Sequence, residues 1–343
     1  MKPVFVSDLQ ADQSVTTFFL VCAKEVRATR EGKCYLRLEL GDRTGTIEAR
    51  MWSGFEGDAV SFDRDDFIKV QARVESYRNR LQVTIDKVRR AEDSEVDASD
   101  YFPHTGEDVD QLYAKLLEVV ASIGDPWLRR LLDAVVRDPD LVSRLKRAPA
   151  AKIMHHAYLG GLLEHMMSLC GLCRVVAGHY PETDTDLLLT GAILHDLGKV
   201  DELYYERSFG YTDQGQMLGH ILIEYERIAK KIDAIDGFPP NLKILVQHMI
   251  LSHHGQYEFG SPKLPMFREA LMLHYLDDLD SKMGAVRASL ASDKGEGNWT
   301  AWNSALDRRF LRVNLFRGAE ETEAADVPAQ AAMDRPRTSS EKD

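Results

Sequence analysis

The sequence lacks the features that mark membrane-spanning, exported and disulfide-stabilised proteins. A transmembrane helix needs about 20 consecutive apolar residues, and no such run occurs along the chain. Residues 1–5 do not open the apolar stretch of a secretion signal. Four cysteines scattered over 343 residues are too few for a disulfide framework and are typical of a reducing compartment. We therefore expect a cytoplasmic protein that does not insert into a membrane.

The chain also lacks an excess of positive charge. Its formal net charge is −12, from 55 acidic and 43 basic residues. Proteins that coat nucleic acid non-specifically neutralise phosphates with clustered lysine and arginine, so this balance argues against that class. It does not exclude a nuclease, because carboxylates that ligate a metal have their charge offset by the ion. The hydrophobic content of 44% and the length are those of a globular protein with room for two domains.

The first part of the chain, residues 1–95, has the alternating pattern of β-strands. Apolar residues occupy every second position over residues 34–40 and again over residues 47–51, which predicts a hairpin with one solvated face. A long strand over residues 15–26 precedes it, and a second hairpin over residues 68–85 follows. The N-terminal domain is therefore predicted to be all-β, with five strands.

The second part of the chain is predicted to be an all-α bundle. A polar, acidic segment over residues 96–106 reads as a linker, and apolar residues then recur with helical spacing over residues 107–318, without a convincing strand. Asp125 followed by Pro126 is typical of a helix start. Residues 319–343 contain almost no large apolar side chains, so this segment is predicted to be a disordered tail.

Residues 187–199 form the most informative stretch of the helical part. They predict a buried helix, apolar for two turns, that ends at Gly198 and carries polar groups at its C-terminal end. His195 and Lys199 share a stripe with Leu188, so this stripe delivers an imidazole and an ammonium into the interior. Buried charged groups need a metal or a charged partner.

Two further polar residues lie on apolar stripes elsewhere. His165 shares a stripe with Leu162 and Leu169, and Asp277 shares one with Leu273. A single buried histidine is usually a hydrogen-bonded core residue. Several such groups on separate apolar stripes favour a common metal site instead.

The order of these residues resembles the HD-domain phosphohydrolase superfamily: a histidine, then the adjacent His195 and Asp196, then a distant aspartate. His220 and the adjacent His253 and His254 resemble the extra histidines by which some HD proteins hold a second metal ion. With the string at residues 155–165 and an N-terminal β-domain, the chain resembles the YhaM-type 3′→5′ exoribonuclease family over residues 1–318.

The resemblance implies two divalent metal ions and a set of ligands. That set is His165, His195, Asp196, His220, His253, His254 and Asp277. Mixed nitrogen and oxygen ligands suit Mn²⁺, Fe²⁺, Co²⁺ or Mg²⁺ better than structural zinc, and Mn²⁺ is the first choice.

The assignments within this set differ in their basis. The family pattern selects Asp277 over Asp278 and Asp280 as the ligand, and Asp280 would then orient a histidine. Asp196 and Lys199 are the predicted catalytic residues, with the lysine as a phosphate contact. His155 and His156 are given no role.

The five predicted strands and the turn at residues 40–47 resemble an OB-fold, a barrel that commonly binds single-stranded nucleic acid. Its outward face interleaves aromatic residues with arginines. The predicted contact residues are Tyr35, Arg37, Arg50, Trp52, Arg73, Tyr77, Arg78 and Arg80. Such a face can stack bases and follow phosphates. The same alternation would also serve only to solvate a barrel, but a nuclease-like partner domain favours binding.

The predicted function is that of a metal-dependent 3′→5′ exoribonuclease, which hydrolyses single-stranded RNA, and also single-stranded DNA in a broader version, by metal-activated water. One alternative is an HD hydrolase of nucleotides or cyclic dinucleotides with a regulatory β-domain. The other is a non-enzymatic RNA-binding protein with a structural metal. The sequence leaves the oligomeric state open, and a homo-oligomer is compatible with it.

Overall fold

The computed structural model describes residues 2–29, 31–55, 61–77, 80–102, 104–151, 158–205, 210–293, 295 and 297–318. Within these residues a β-barrel is followed by a helical bundle, so the predicted OB-fold barrel and all-α second part are confirmed. Two predictions fall outside the described residues, the contact residue Arg78 and the disordered tail at residues 319–343, and so does the pair His155 and His156.

Five antiparallel and parallel strands close the barrel in the order β1-β2-β3-β5-β4. Their bounds are Ser14–Ala28 (β1), Cys34–Asp42 (β2), Gly45–Met51 (β3), Phe67–Tyr77 (β4) and Arg80–Arg90 (β5). The alternation in the sequence places Leu36, Leu38 and Leu40 in the barrel core. In the β2–β3 ladder, Arg37 lies directly opposite Arg50. The outward face therefore brings like charges together.

The second part is built from helices around one apolar core. Their bounds are Val109–Ala121 (α1), Pro126–Val136 (α2), Pro139–Leu145 (α3), Gly161–His179 (α4), Thr185–Leu194 (α5), Lys199–Glu202 (α6), Asp213–Asp233 (α7), Pro240–Ser252 (α8), Arg268–Ser292 (α9) and Val313–Phe316 (α10). The helix start predicted at Asp125 and Pro126 is confirmed, because the Asp125 carboxylate accepts from the first backbone N–H groups of α2. In the described part of the chain, no helix has the length and apolar character needed to cross a bilayer.

A short two-stranded sheet interrupts the helical part, where no strand was expected. Its strands are Leu203–Tyr204 (β6) and Gly210–Tyr211 (β7). Two residues per strand are too few to show an alternating pattern, so periodicity could not reveal it.

The segment predicted to be a linker contacts both halves of the protein. Tyr101 and Phe102 are buried in a cluster with Leu20 and Phe67 of the barrel, and Leu159 of the helical part packs on the same cluster. The backbone N–H of Thr105, between this cluster and α1, also donates to the Leu159 carbonyl, at 2.9 Å. The segment at residues 96–106 is therefore a packed connection despite its polar composition, because Tyr101 and Phe102 contact the barrel.

Helix α5 lies at the centre of the bundle. Every residue from Leu187 to Leu194 is buried, and the helix contacts α2, α4, α8 and α9, as expected of a helix that is apolar all round. The prediction that this helix reaches Gly198 is wrong. It ends at Leu194, and the chain continues in tighter turns with hydrogen bonds between residues three apart, such as Leu197 to Leu194.

Candidate metal centre and nucleic-acid surface

The first group of predicted ligands is formed by His165 of α4, His195 at the end of α5 and Asp277 of α9. His165 Nε2 lies 3.2 Å from Asp277 Oδ1 and 3.4 Å from His195 Nε2. The distance from His195 Nε2 to Asp277 Oδ1 is 3.7 Å. These three residues, the first triad, present two nitrogens and one oxygen whose mutual distances do not exceed 4.8 Å.

The second group consists of His220, His253 and His254, which we call the second triad. One nitrogen from each lies within 4.8 Å of the others. His220 follows a kink in α7 at Gly219, whose φ of 71° and ψ of 158° are not helical. Such a positive φ is readily adopted only by glycine. The kink therefore sets the direction of His220.

The carboxylate of Asp196 lies between the two triads. Its Oδ2 atom is 3.3 Å from His195 Nε2 and 3.9 Å from His165 Nε2. Its Oδ1 atom is 3.5 Å from His220 Nε2 and 3.8 Å from His253 Nε2. The seven residues predicted as ligands thus come together in one cluster, buried except for the partly exposed His254 and Asp277, and one carboxylate faces both of its halves.

All five histidines of the cluster are oriented in the same way. Each directs Nδ1 to an oxygen acceptor, so that Nε2 points to the centre of the cluster. The Nδ1 partners are Asp280 Oδ2 for His165 (2.7 Å), Ala192 O for His195 (3.0 Å), Glu202 Oε1 for His220 (3.1 Å), Ile250 O for His253 (2.8 Å) and Phe259 O for His254 (2.7 Å). Metal-ligating histidines commonly show this arrangement, because the Nδ1 hydrogen bond fixes the tautomer and the ring.

The hydrogen bonding of three atoms in the cluster shows whether the cluster fits a cation. Asp196 Oδ1, His220 Nε2 and His253 Nε2 are buried and have no hydrogen-bond partner among the described residues. Leaving such an atom unsatisfied costs roughly 1–3 kcal/mol, and a divalent ion removes that cost for all three. Burial, together with the neighbouring His254 and His195, holds the pKa of His253 well below its usual value, so its nitrogen is unprotonated. The residues present therefore fit a divalent metal ion.

Lys199 places an ammonium beside this cluster. Its Nζ atom lies 2.6 Å from Asp196 Oδ2, and 13% of the side chain is exposed. Burial opposes the charge, but the Asp196 carboxylate outweighs it and raises the pKa of Lys199 above its usual value. The lysine therefore carries a positive charge next to the Asp196 carboxylate.

Two glutamates near the cluster were missed by the sequence analysis. Glu202 Oε1 accepts from both the backbone N–H of His220, at 3.0 Å, and its ring. Glu224 is fully buried four residues after His220 on α7, and burial raises its pKa well above the usual value. Helical spacing from His220 could have identified Glu224. Glu202 has no periodic signal, because it ends a helix of four residues.

The predicted contact surface of the barrel contains a cluster of aromatic rings around one arginine. The rings of Tyr35 and Trp52 are 4.9 Å apart. Arg50 Cζ lies 5.6 Å from the Tyr35 ring and 5.9 Å from the rings of Trp52 and Tyr77. About half of the Trp52 and Tyr77 side chains is exposed. These four residues, the aromatic cluster, offer ring faces to which bases can stack.

The arginines of this surface are engaged by carboxylates, which the sequence analysis did not foresee. Arg37 and Arg50 both donate to Glu48, and Arg73 lies 3.3 Å from Asp86. The remaining predicted contact residue within the described range, Arg80, is exposed and pairs with Tyr77 in the β4–β5 ladder. The surface is therefore aromatic, and carboxylates offset part of its positive charge.

A closed five-stranded barrel joined to a helical bundle with a histidine and aspartate cluster defines a protein with an OB-fold and an HD domain. The OB-fold nucleic acid binding domain family matches residues 21–91, and the HD domain family matches residues 162–282. The 3′-5′ exoribonuclease YhaM of Bacillus subtilis (strain 168) is 34% identical over 308 residues, which are 90% of this chain and 97% of that protein. The chain belongs to the YhaM 3′-5′ exoribonuclease family and is a hydrolytic enzyme.

A second relative and a solved structure complete the comparison. The protein named 3′-5′ exoribonuclease YhaM of Geobacillus sp. (strain WCH70) is 33% identical over 308 residues, covering 90% of this chain and 94% of that one. The second OB-fold domain of replication protein A from Methanococcus maripaludis is 22% identical, covers 26% of this chain and 94% of its own, and has a TM-score of 0.22. That score is too low to carry an argument.

Proposed function

We propose that this protein is a divalent-metal-dependent 3′→5′ exoribonuclease that shortens single-stranded RNA and also accepts single-stranded DNA. One observation carries the chemistry: the Asp196 carboxylate faces two triads, and three buried atoms there have no hydrogen-bond partner in the part of the chain that the structure describes. The direction of degradation and the RNA substrate come from the names of the relatives.

We assign one ion to the first triad and one to the second triad, with Asp196 shared between them. A divalent ion held there, Mn²⁺ in the first place or else Fe²⁺, Co²⁺ or Mg²⁺, would act as a Lewis acid, which would lower the pKa of water at the centre and offset phosphoryl charge. The two carboxylate oxygens of Asp196 point to different triads, which supports the shared role.

The other residues around the centre orient its histidines and supply a positive charge. Asp280 and Glu202 fix one histidine in each triad through Nδ1. Lys199 carries the positive charge that meets a phosphate oxygen of the substrate, since an ammonium is a compact point charge suited to that task. Its position 2.6 Å from Asp196 Oδ2, beside the two triads, supports this role.

The barrel has the role of holding the RNA strand while its 3′ end reaches the centre. The aromatic cluster supports stacking of bases without sequence preference. Tethering the strand raises the effective concentration of its end at the metal centre. The packed connection through Tyr101 and Phe102 supports a fixed path between the two sites.

The experiment uses single-stranded RNA labelled at its 5′ end, purified protein and Mn²⁺, with and without a chelator. A ladder that shortens from the 3′ end, and that the chelator abolishes, is expected. Asp196→Asn should remove activity and metal while keeping the fold. Asp278→Asn is the matched control, because Asp278 lies on α9 next to a ligand but forms a half-exposed ion pair with Lys282. Cleavage by Asp196→Asn at near wild-type rates would contradict the proposal.

A further inference from the structure

A cavity of about 260 Å³ lies next to the second triad. His220 and His254 form part of its lining, and three apolar residues, Leu218, Leu222 and Phe259, form another part. The apolar residues are 48%, 47% and 57% exposed. Large apolar side chains left open beside a polar centre indicate a surface that a ligand covers.

Local backbone features hold this apolar wall against the triad. The kink at Gly219 lies between Leu218 and His220, so the turn that directs the histidine also sets the neighbouring wall residue. Gly260, with a φ of 82°, ends the short helical turn that carries Phe259. The Phe259 carbonyl accepts from His254 Nδ1 at 2.7 Å. The aromatic ring and the histidine are therefore positioned as one unit.

The size and chemistry of the cavity limit what it can receive. Sites for whole small molecules have volumes of roughly 300–1,000 Å³, so this cavity suits one part of a larger ligand. The part must be flat and apolar on its faces, because it meets two leucines and a phenyl ring. It must also belong to a molecule whose phosphate reaches the adjacent triad. A nucleobase satisfies these conditions.

We propose that this cavity, the terminal-base pocket, binds the base of the 3′-terminal nucleotide by stacking on Phe259. The inference rests on the proposed function and adds the part of the substrate that is recognised. Stacking accepts every base, since each has a π-face. Recognition of this kind suits an enzyme that removes successive nucleotides of any sequence.

The test compares two single-stranded RNAs, labelled at the 5′ end, that differ only in the last nucleotide. One ends in adenosine and the other in an abasic ribose. For the wild-type enzyme, KM for removal of the last nucleotide should be on the order of 10-fold higher with the abasic end, with a smaller change in kcat. Phe259→Ala should raise KM for the adenosine end and abolish the difference. Phe259→Trp should preserve it.

Two controls make the result specific. Tyr257 is an aromatic residue of the same turn as Phe259; it is 59% exposed and does not line the cavity. Tyr257→Ala should therefore keep the KM difference between the two ends that the wild-type enzyme shows. Metal content is measured for each variant. If Phe259→Ala loses metal, its KM values cannot be interpreted, and Leu222→Ala, which changes another wall residue, replaces it. Leu222→Ala must then lose the KM difference between the two RNA ends.

The outcomes separate this inference from the proposed function. Equal KM values for the two ends with wild-type enzyme, or a difference retained in metal-loaded Phe259→Ala, would overturn the terminal-base pocket alone. Failure of wild-type protein to shorten either RNA would overturn the proposed exoribonuclease function and the pocket with it.

Discussion

Replacing Glu48 with glutamine should increase the salt dependence of RNA binding by the barrel. Glu48 Oε2 accepts from Arg37 Nη2 at 2.8 Å, and Oε1 accepts from Arg50 Nη2 at 2.7 Å. Partial burial disfavours the carboxylate, but the hydrogen bonds from Arg50 and Arg37 outweigh it and hold the pKa of Glu48 below its usual value. At neutral pH one negative charge therefore partly neutralises two guanidinium groups on the proposed RNA-binding surface.

The magnitude follows from the charge that the substitution releases. Glu48→Gln raises the charge of this surface by one, whether or not Glu25, 3.5 Å from Arg37 Nη1, is counted with it. Each phosphate neutralised on a single strand contributes about 0.7 to the slope of log K against log salt. The slope should thus steepen by about 0.7, and binding at low salt should tighten. The fold should persist, because partly exposed ion pairs contribute only about 0.2–1 kcal/mol each.

The assay is fluorescence anisotropy with a labelled single-stranded RNA over a series of salt concentrations. Both forms carry Asp196→Asn, so that the RNA stays intact. Glu95→Gln is the matched control, because Glu95 forms a similar two-bond pair with Arg89 (2.7 and 2.6 Å), outside the predicted contact residues. An unchanged slope in Glu48→Gln, or an equal change in Glu95→Gln, would refute the assignment of this surface to phosphate contact.

Three further predictions concern the centre and the connection. Glu202→Gln should weaken metal binding by the second triad about 10- to 100-fold and spare the first, and Asp280→Asn should do the reverse; equal losses at both, in metal titrations, would contradict separate sites. Removal of residues 1–102 should leave hydrolysis of bis-p-nitrophenyl phosphate intact and raise KM for long RNA. The cut follows Phe102 because Tyr101 and Phe102 pack on the barrel. An unaltered KM would assign the barrel another role. Metal binding by the first triad should release protons and weaken as pH falls. Burial lowers the pKa of His165 and His195, but the neighbouring carboxylates outweigh it and raise both, so at a pH below these pKa values the ion must displace protons. Calorimetry in buffers of different ionisation enthalpy measures the release, and its absence would contradict this prediction.

Some of the proposed ligands could be predicted from periodicity because each breaks the apolar pattern of its surroundings, whereas His220, His253 and His254 came from the family resemblance. His165 and Asp277 are polar positions on otherwise apolar helical stripes, which periodicity detects without any structure. Glu202 could not be found in this way, because it ends a short helix and acts through a contact with His220, 18 residues away. The Nδ1 partners of His195 and His253 are backbone carbonyls. Backbone carbonyls are the same in every residue and leave no mark in a sequence.

The pairing of Arg37 and Arg50 with a carboxylate was accessible in principle. The turn between β2 and β3 pairs Asp42 with Gly45, and that register places Arg37 opposite Arg50. Like charges directly opposite each other on a sheet are destabilising, so an acidic neighbour was required. Glu48 is the acidic outward residue two positions before Arg50. Alternation identified the face correctly, but only the register revealed that its arginines share a carboxylate.

The end of α5 at Leu194 coincides with the start of the candidate metal centre. His195 and Asp196 follow the helix directly, and both side chains face the cluster, with His195 Nε2 and Asp196 Oδ2 3.3 Å apart. The adjacent His253 and His254 follow the last residue of α8 in the same way, with ring centres 4.4 Å apart. The adjacent proposed ligands therefore lie where helices end, whereas the isolated proposed ligands His165 and Asp277 lie inside α4 and α9.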